Sequence, residues 1–316
     1  VVKKFIMGNY TARYGLGLTI GYRGRLLIKA PGAQASSILY PDYGGFNGFY
    51  VQAGRYDDAL SLLIHNDRND TIRIQAAAID YMKRYKQFRG ELIVLGANIK
   101  NRQSDVHYNH YQLGTYLQYK AESFRSAWEI CWQNKGRAAV PAVVMETEYK
   151  EGAVELRLCG WRYDREFTNL FGGGRSGYYY NSVSIDTLDF EYSERRNGQQ
   201  GLLFGGESNI TKNYRYSLAV LLYGRNRYET TGRIMSSIEK IINSNSGLKL
   251  SYLRQDREEL SGNVSYHKVR AEYRRQGSKL FFRNYLGYNI DKDGNDFISY
   301  FIRLKGLMSG LGRVEL

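Results

Sequence analysis

SKLFFRNYLGYNI (residues 278–290), DKDGND (291–296) and FISYFIRLK (297–305) decide the fold. In the last run Ile298, Tyr300, Ile302 and Leu304 recur at every second position, with Ser299, Arg303 and Lys305 between them. In the first, Leu280, Phe282, Leu286 and Tyr288 share one face, opposed by Phe281, Arg283 and Tyr285. A period of two places successive side chains on opposite faces of an extended strand. The segment between the runs is made of the residues that tight turns prefer. The stretch reads as a β-hairpin with one apolar face and one polar, basic face.

The same pattern extends through the chain. Residues 264–276 set Val269, Ala271 and Tyr273 against Lys268, Arg270, Glu272 and Arg274. Residues 214–225 set Tyr216, Leu218, Val220 and Leu222 against Arg215, Ser217, Tyr223 and Arg225. Residues 153–163 set Val154, Leu156, Leu158 and Gly160 against Glu155, Arg157, Cys159 and Trp161, and 106–120 set Tyr111, Leu113, Leu117 and Tyr119 against His110, Gln112, Tyr116 and Gln118. Further strand candidates are 3–13, 15–24, 49–54, 59–66, 71–78, 88–99, 124–133, 138–149, 183–192, 201–207, 232–243 and 247–254. Residues 76–87 suit either a short helix or a strand leaving a membrane, while 29–48 and 165–181 break the rhythm and read as long loops. No Pro- or Ser-rich linker divides the chain and no fixed-period consensus recurs, so 1–316 reads as one domain rather than a repeat array.

The 316 residues include 34 Gly and 29 Tyr but only 3 Pro, and carry a formal net charge of +14. With 43% hydrophobic and 14% aromatic residues there is enough apolar surface for a folded chain, so extensive disorder is not expected. Mean hydropathy is −0.51, and no apolar window reaches the ~18 residues of a membrane-spanning helix. A transmembrane β-barrel is compatible with both facts, because half of its side chains face a wet interior. A soluble sandwich uses fewer strands and turns its polar faces outward. A closed sheet of about 16 strands has an interior too wide for side chains to fill, so polar faces line water and apolar faces meet lipid. The expected architecture is therefore all-β: a single antiparallel transmembrane β-barrel of about 16 strands (range 14–18), an up-and-down meander. Tyr119, Tyr149, Tyr163, Tyr192, Tyr252 and Tyr288, near strand ends, are candidates for an interfacial girdle.

Two segments, Ile6-Met7-Gly8-Asn9-Tyr10 and Tyr14-Gly15-Leu16-Gly17-Leu18, resemble the opening of a family of outer-membrane β-barrels of Bacteroidota and related bacteria. Its members often carry an amino-terminal helix-hairpin-helix. Gly45-Phe46-Asn47-Gly48-Phe49 and Asn197-Gly198-Gln199-Gln200-Gly201-Leu202-Leu203 resemble later joints of that family, so the resemblance extends over most of the chain. Asn9 and Leu16 depart from its usual acidic residue and glutamine. The sequence holds no helix-hairpin-helix, and the resemblance implies no DNA-binding role here.

Motifs for catalysis are missing. His65, His107, His110 and His267 are scattered, and the odd spacing of His107 and His110 points them to opposite faces of a strand. Cys131 and Cys159 have no metal-ligand spacing, and residues 291–296 have their glycine fourth rather than sixth for a calcium loop. The glycine-rich run 172–177 lacks the ending of a phosphate-binding loop, and there is no Gly-x-Ser-x-Gly elbow. No catalytic, cofactor-binding or metal residue is assigned, no cofactor is expected, and the chain reads as a non-enzyme.

The informative charge lies on the polar faces: Arg157, Arg215, Arg225, Lys268, Arg270, Arg274, Arg283, Arg303 and Lys305 are the candidate lining of a basic lumen. Such a lining favours anionic solutes, unless the basic side chains pair across strands with Glu155, Glu191 and Glu272. The expected role is a porin-like channel, or the membrane-embedded part of an envelope assembly, in a bacterial outer membrane. Residues 29–48 are the candidate inward loop. Expected partners are outer-membrane lipid and lipopolysaccharide, other envelope proteins and an anionic solute, with nucleic acid disfavoured. Two rival readings are a secreted soluble β-protein that grips acidic polysaccharide or nucleic acid, and an outer-membrane hydrolase. The first residues lack a signal-peptide pattern, as expected if one is processed away or lies upstream, and the last lack a closing aromatic, so the native chain is expected to continue past residue 316.

Overall fold

The structure is a computed structural model. It describes residues 1–21, 32–35, 46–68, 72–101, 107–135, 138–167, 171, 198–225, 229–259, 262–277, 280–290, 293–308 and 312–315. Among the described residues every regular element is a strand: β1 (Val2–Arg13), β2 (Gly32–Ala35), β3 (Phe46–Gly54), β4 (Asp58–Arg68), β5 (Ile72–Tyr85), β6 (Phe88–Asn101), β7 (His107–Lys120), β8 (Phe124–Lys135), β9 (Ala138–Glu151), β10 (Val154–Tyr163), β11 (Gln199–Thr211), β12 (Tyr214–Arg225), β13 (Glu229–Asn243), β14 (Ser246–Glu259), β15 (Gly262–Gln276), β16 (Leu280–Ile290), β17 (Asp296–Met308) and β18 (Gly312–Glu315). All but the four-residue β2 and β18 run nine residues or more, which makes sixteen long strands. The fold is all-β, antiparallel and up-and-down. Residues 76–87, open to either helix or strand from sequence, belong mainly to β5 and the turn after it. Residues 183–192 lie outside the described residues.

Two compact units are present, the first within 1–147, 159–179 and 187–200, the second within 148–158, 180–186 and 201–316. In the first, β1 pairs with β3, and β3 to β8 then pair each with the next in chain order. In the second, β12 to β18 do the same.

Register explains the chemistry of the faces. In the first unit Leu62, Ile79, Val94, Leu113 and Trp132 stand opposite one another on successive strands. Ile79, Val94 and Leu113 in this row are exposed by 49%, 48% and 42%. The other face carries Ser61, Asp80, Glu91, Gln112, Glu129 and Gln133, all buried, beside the buried apolar Leu63, Ala78, Ile93 and Leu95. The second unit repeats the inversion: Ile238, Leu250 and Leu286 are exposed while Arg233, Glu239, Ser251, Arg270 and Glu272 are buried. In water each of these half-exposed aliphatic side chains would forfeit roughly 1 kcal/mol relative to full burial. An antiparallel sheet with apolar side chains outside and ionised ones inside is stable where the outer medium is hydrocarbon. No helix among the described residues is long and apolar enough to cross a membrane.

Candidate functional site

The inner face of the first unit is closed around residues 14–21, which directly follow β1. Sequence periodicity marks 15–24 as a strand candidate, but its described part, 15–21, is turn and bend. The reason is chemical: its backbone donors are taken by wall carboxylates instead of a neighbouring strand. Leu16 N and Leu18 N donate to Glu129 Oε2 at 2.7 and 3.1 Å. Thr19 N and its hydroxyl donate to Glu129 Oε1 at 2.8 and 3.0 Å. Gly15 N donates to Glu91 Oε2 at 2.7 Å. Backbone amides converging on one oxygen pair make an anion-binding concavity, here filled by the protein's own carboxylate, while Gly17 N turns back to Tyr14 O. Glu91, Tyr116 and Glu129 stand in register on β6, β7 and β8, so the three strands present this row to the segment.

Glycine makes the close approach possible. Gly15 sits at φ +51°, and a Cβ there would lie 2.9 Å from Glu129 Oε2 and 3.0 Å from the Tyr116 ring. At Gly114 of β7 a Cβ would lie 2.1 Å from the Thr19 hydroxyl. Tyr10, Tyr14, Ile20, Phe46, Tyr50 and Phe171 pack with inner-face residues of β4 to β6 into a core. Gly21 N donates to Phe171 O at 2.8 Å, and the Phe46 and Phe171 rings stack at 6.4 Å. The segment is an internal plug of this unit.

Sequence reasoning placed the inward loop at 29–48. Of that range only 32–35 and 46–48 are described, in β2 and β3, and the rest lies outside the described residues. Alternation across Gly15, Gly17 and Gly21 imitates a strand, and the available signal for the plug was the density of glycine there, together with glutamates at the polar register of β6 and β8.

The interior of the second unit is different. A cavity of about 580 Å³ lies on the inner face of β11 to β16, near the Asn243–Ser246 turn. Four strands in register alternate charge across it: Arg215 opposes Glu239, Glu239 opposes Lys249, and Lys249 opposes Glu272. Both carboxylates turn to arginines instead, Glu239 to one two strands away and Glu272 to one on the adjacent strand. Arg274 Nη2 pairs with Glu239 Oε1, and Arg283 donates to both oxygens of Glu272 at 2.9 and 2.8 Å.

The nine candidate lining residues are placed as follows. Arg215, Arg274 and Arg283 line the cavity. Lys268 and Arg270 are buried on the same face of β15, with the Arg270 guanidinium 3.9 Å from the Tyr285 ring centroid. Arg303 opposes Arg283 in register. Arg157 is exposed and pairs with Glu155 at 2.6 Å and Glu148 at 3.5 Å. Arg225 ends β12 and Lys305 lies in β17, their side chains outside the described residues. Glu191, one of the expected pairing partners, is also outside them. Glu239, Lys249 and Glu207 are lining residues that sequence reading did not single out.

Of the girdle candidates, Tyr288 and Tyr149 are exposed, whereas Tyr163 is buried and stacks on Phe167 at 6.0 Å. Tyr163 is therefore a core residue of the first unit, and Tyr192 lies outside the described residues. Cys131 and Cys159 are buried. His65 Nδ1 accepts from Asn47 N at 2.9 Å, and His110 lies 3.3 Å from the Gln133 amide. Among the described residues no three His, Cys, Asp or Glu side chains are grouped to hold a metal.

No protein-family model matches the chain, and no curated protein matches it. Among solved structures it is similar to a bacterial polysaccharide outer membrane secretin, at 9% identity and a TM-score of 0.32, over 82% of this chain and 90% of that one. At that score the likeness adds nothing to the functional assignment.

Proposed function

We propose that the chain is a β-barrel of a bacterial outer membrane, non-enzymatic, whose polar interior admits a small charged solute. We place it beside the Bacteroidota-type barrels that its glycine motifs resemble. The observation that carries this reading is the inverted burial of both units, with Leu250 and Leu286 outside and Glu239 and Arg270 inside. Hydrocarbon is the medium that stabilises such a face, and a closed barrel removes sheet edges from lipid. The plug at 14–21 favours a barrel closed at rest in that interior over a constitutively open pore. Solute recognition then belongs to the charged cavity of the second unit, where arginine–glutamate pairing leaves far less net charge than the basic residues alone suggest.

The test is gel mobility of detergent-purified protein with and without boiling, followed by bilayer conductance. The reading expects a heat-dependent mobility shift and low basal conductance. A soluble monomer without a shift would contradict it and favour the soluble acidic-polymer binder.

A further inference from the structure

The cation that the ion pairs leave over is Lys249. It stands directly between Glu239 and Glu272 in register, and these two carboxylates are its main favourable electrostatic partners. Yet Arg274 and Arg283 have taken both. Among the described residues Lys249 makes no ion pair, nor does Arg215, whose Nε donates only to Asn209 Oδ1 at 3.3 Å. Glu207 is likewise outside any ion pair among the described residues. The cavity thus has a half-buried ammonium inside, an exposed guanidinium beyond it and one unengaged carboxylate.

Those leftovers define a ligand. Four cations and three carboxylates line the cavity, an excess of one positive charge that a monoanion balances. A phosphate dianion would exceed that balance by one charge. The remaining lining suits hydroxyl groups: Ser217 and Ser237 hydroxyls 2.7 Å apart, the Glu207 carboxylate as acceptor, and the Phe281 ring as an apolar wall. The volume of about 580 Å³ lies within the ~300–1,000 Å³ of small-molecule sites. Lys249 and Arg215 are two strands apart, roughly 10 Å at ~4.8 Å per strand, about the reach of one sugar ring with its substituents.

We propose that this cavity binds an acidic sugar, with the Lys249 ammonium on the sugar's carboxylate and Arg215 and Glu207 on its hydroxyls. The proposal rests on the reading of the polar face as a barrel interior and supplies its solute class.

The experiment titrates sodium glucuronate, glucose and inorganic phosphate by calorimetry into folded protein in detergent, after each sample has been checked for the heat-dependent mobility shift. Saturable glucuronate binding is expected, at least tenfold tighter than glucose or phosphate. Lys249→Met should weaken it at least tenfold, and Glu207→Gln a few-fold, with the mobility shift intact. A shifting protein that does not bind glucuronate, binds glucose or phosphate equally well, or is indifferent to Lys249→Met overturns the site alone. Loss of the shift in Lys249→Met moves the decision to Lys249→Arg, which keeps the charge and must retain glucuronate binding. A wild-type protein with no shift overturns the barrel reading and the site with it.

Discussion

Two rows of inward-facing charge are built on the same antiparallel ladder and meet opposite fates. In the first unit, on either side of Tyr116, Glu129 is satisfied by amides of the chain's own 14–21 segment, and Glu91 by the Gly15 amide and by Arg89 of its own strand. In the second unit Arg215, Glu239, Lys249 and Glu272 alternate in sign and border a cavity of about 580 Å³. Glu129 faces Tyr116 rather than a cation on β7 and recruits its donors from elsewhere in the chain. In the alternating row the two carboxylates take arginines from outside it, Arg274 and Arg283, and the row's own cations border the cavity. The difference separates a polar face covered by the chain itself from one that borders a cavity.

The comparison breaks most sharply at Glu129. Glu129→Ala leaves three backbone amides and the Thr19 hydroxyl without their acceptor, at about 1–3 kcal/mol for each buried group that water cannot reach. The temperature of the mobility shift should fall strongly and bilayer conductance should rise, with glucuronate affinity unchanged. Next in size is Leu286→Arg on the outer face, expected to cost about 2–4 kcal/mol as a charge placed in hydrocarbon. Urea titration of the protein refolded into lipid vesicles reads that loss, and a neutral effect would deny lipid contact there. Gly114→Val drives a side chain into Thr19 and should cost about 1–3 kcal/mol of overpacking, with residues 14–21 becoming accessible to protease. Arg283→Ala strips Glu272 of a bidentate partner, at about 1–3 kcal/mol, and should perturb the cavity while leaving the plug protected. At the small end, Arg157→Ala removes an exposed pair with Glu155 and should change stability by less than about 1 kcal/mol.

Much of the ladder was legible in the sequence because strand periodicity is local. The faces assigned to 214–225, 264–276, 278–290 and 297–305 can be read from two-residue alternation, and burial follows the same assignment in β12, β15 and β16. The plug was not legible. Tyr14 to Gly21 alternates well enough to pass for a strand, and what makes it a plug is a carboxylate 110 residues away in the chain. The cavity was half legible: its arginines stood out as a basic face, but register decides which of them meets a glutamate. Arg274 reaches Glu239 two strands away, a pairing no spacing rule on one strand contains. Lys249 looked ordinary because its significance lies in the partners its neighbours chose.

The most direct test of the central claim, apolar side chains toward lipid and charged ones inward, is a nitroxide scan along β14 in vesicles. Single cysteines replace residues 248–253, and spin-label collision rates are measured with oxygen, which partitions into lipid, and with a water-soluble nickel chelate. The account predicts period-two alternation, with oxygen access high at Leu248→Cys, Leu250→Cys and Tyr252→Cys and low at Lys249→Cys, Ser251→Cys and Leu253→Cys. Uniform access along the strand, or oxygen access peaking at residues 249 and 251, would contradict it.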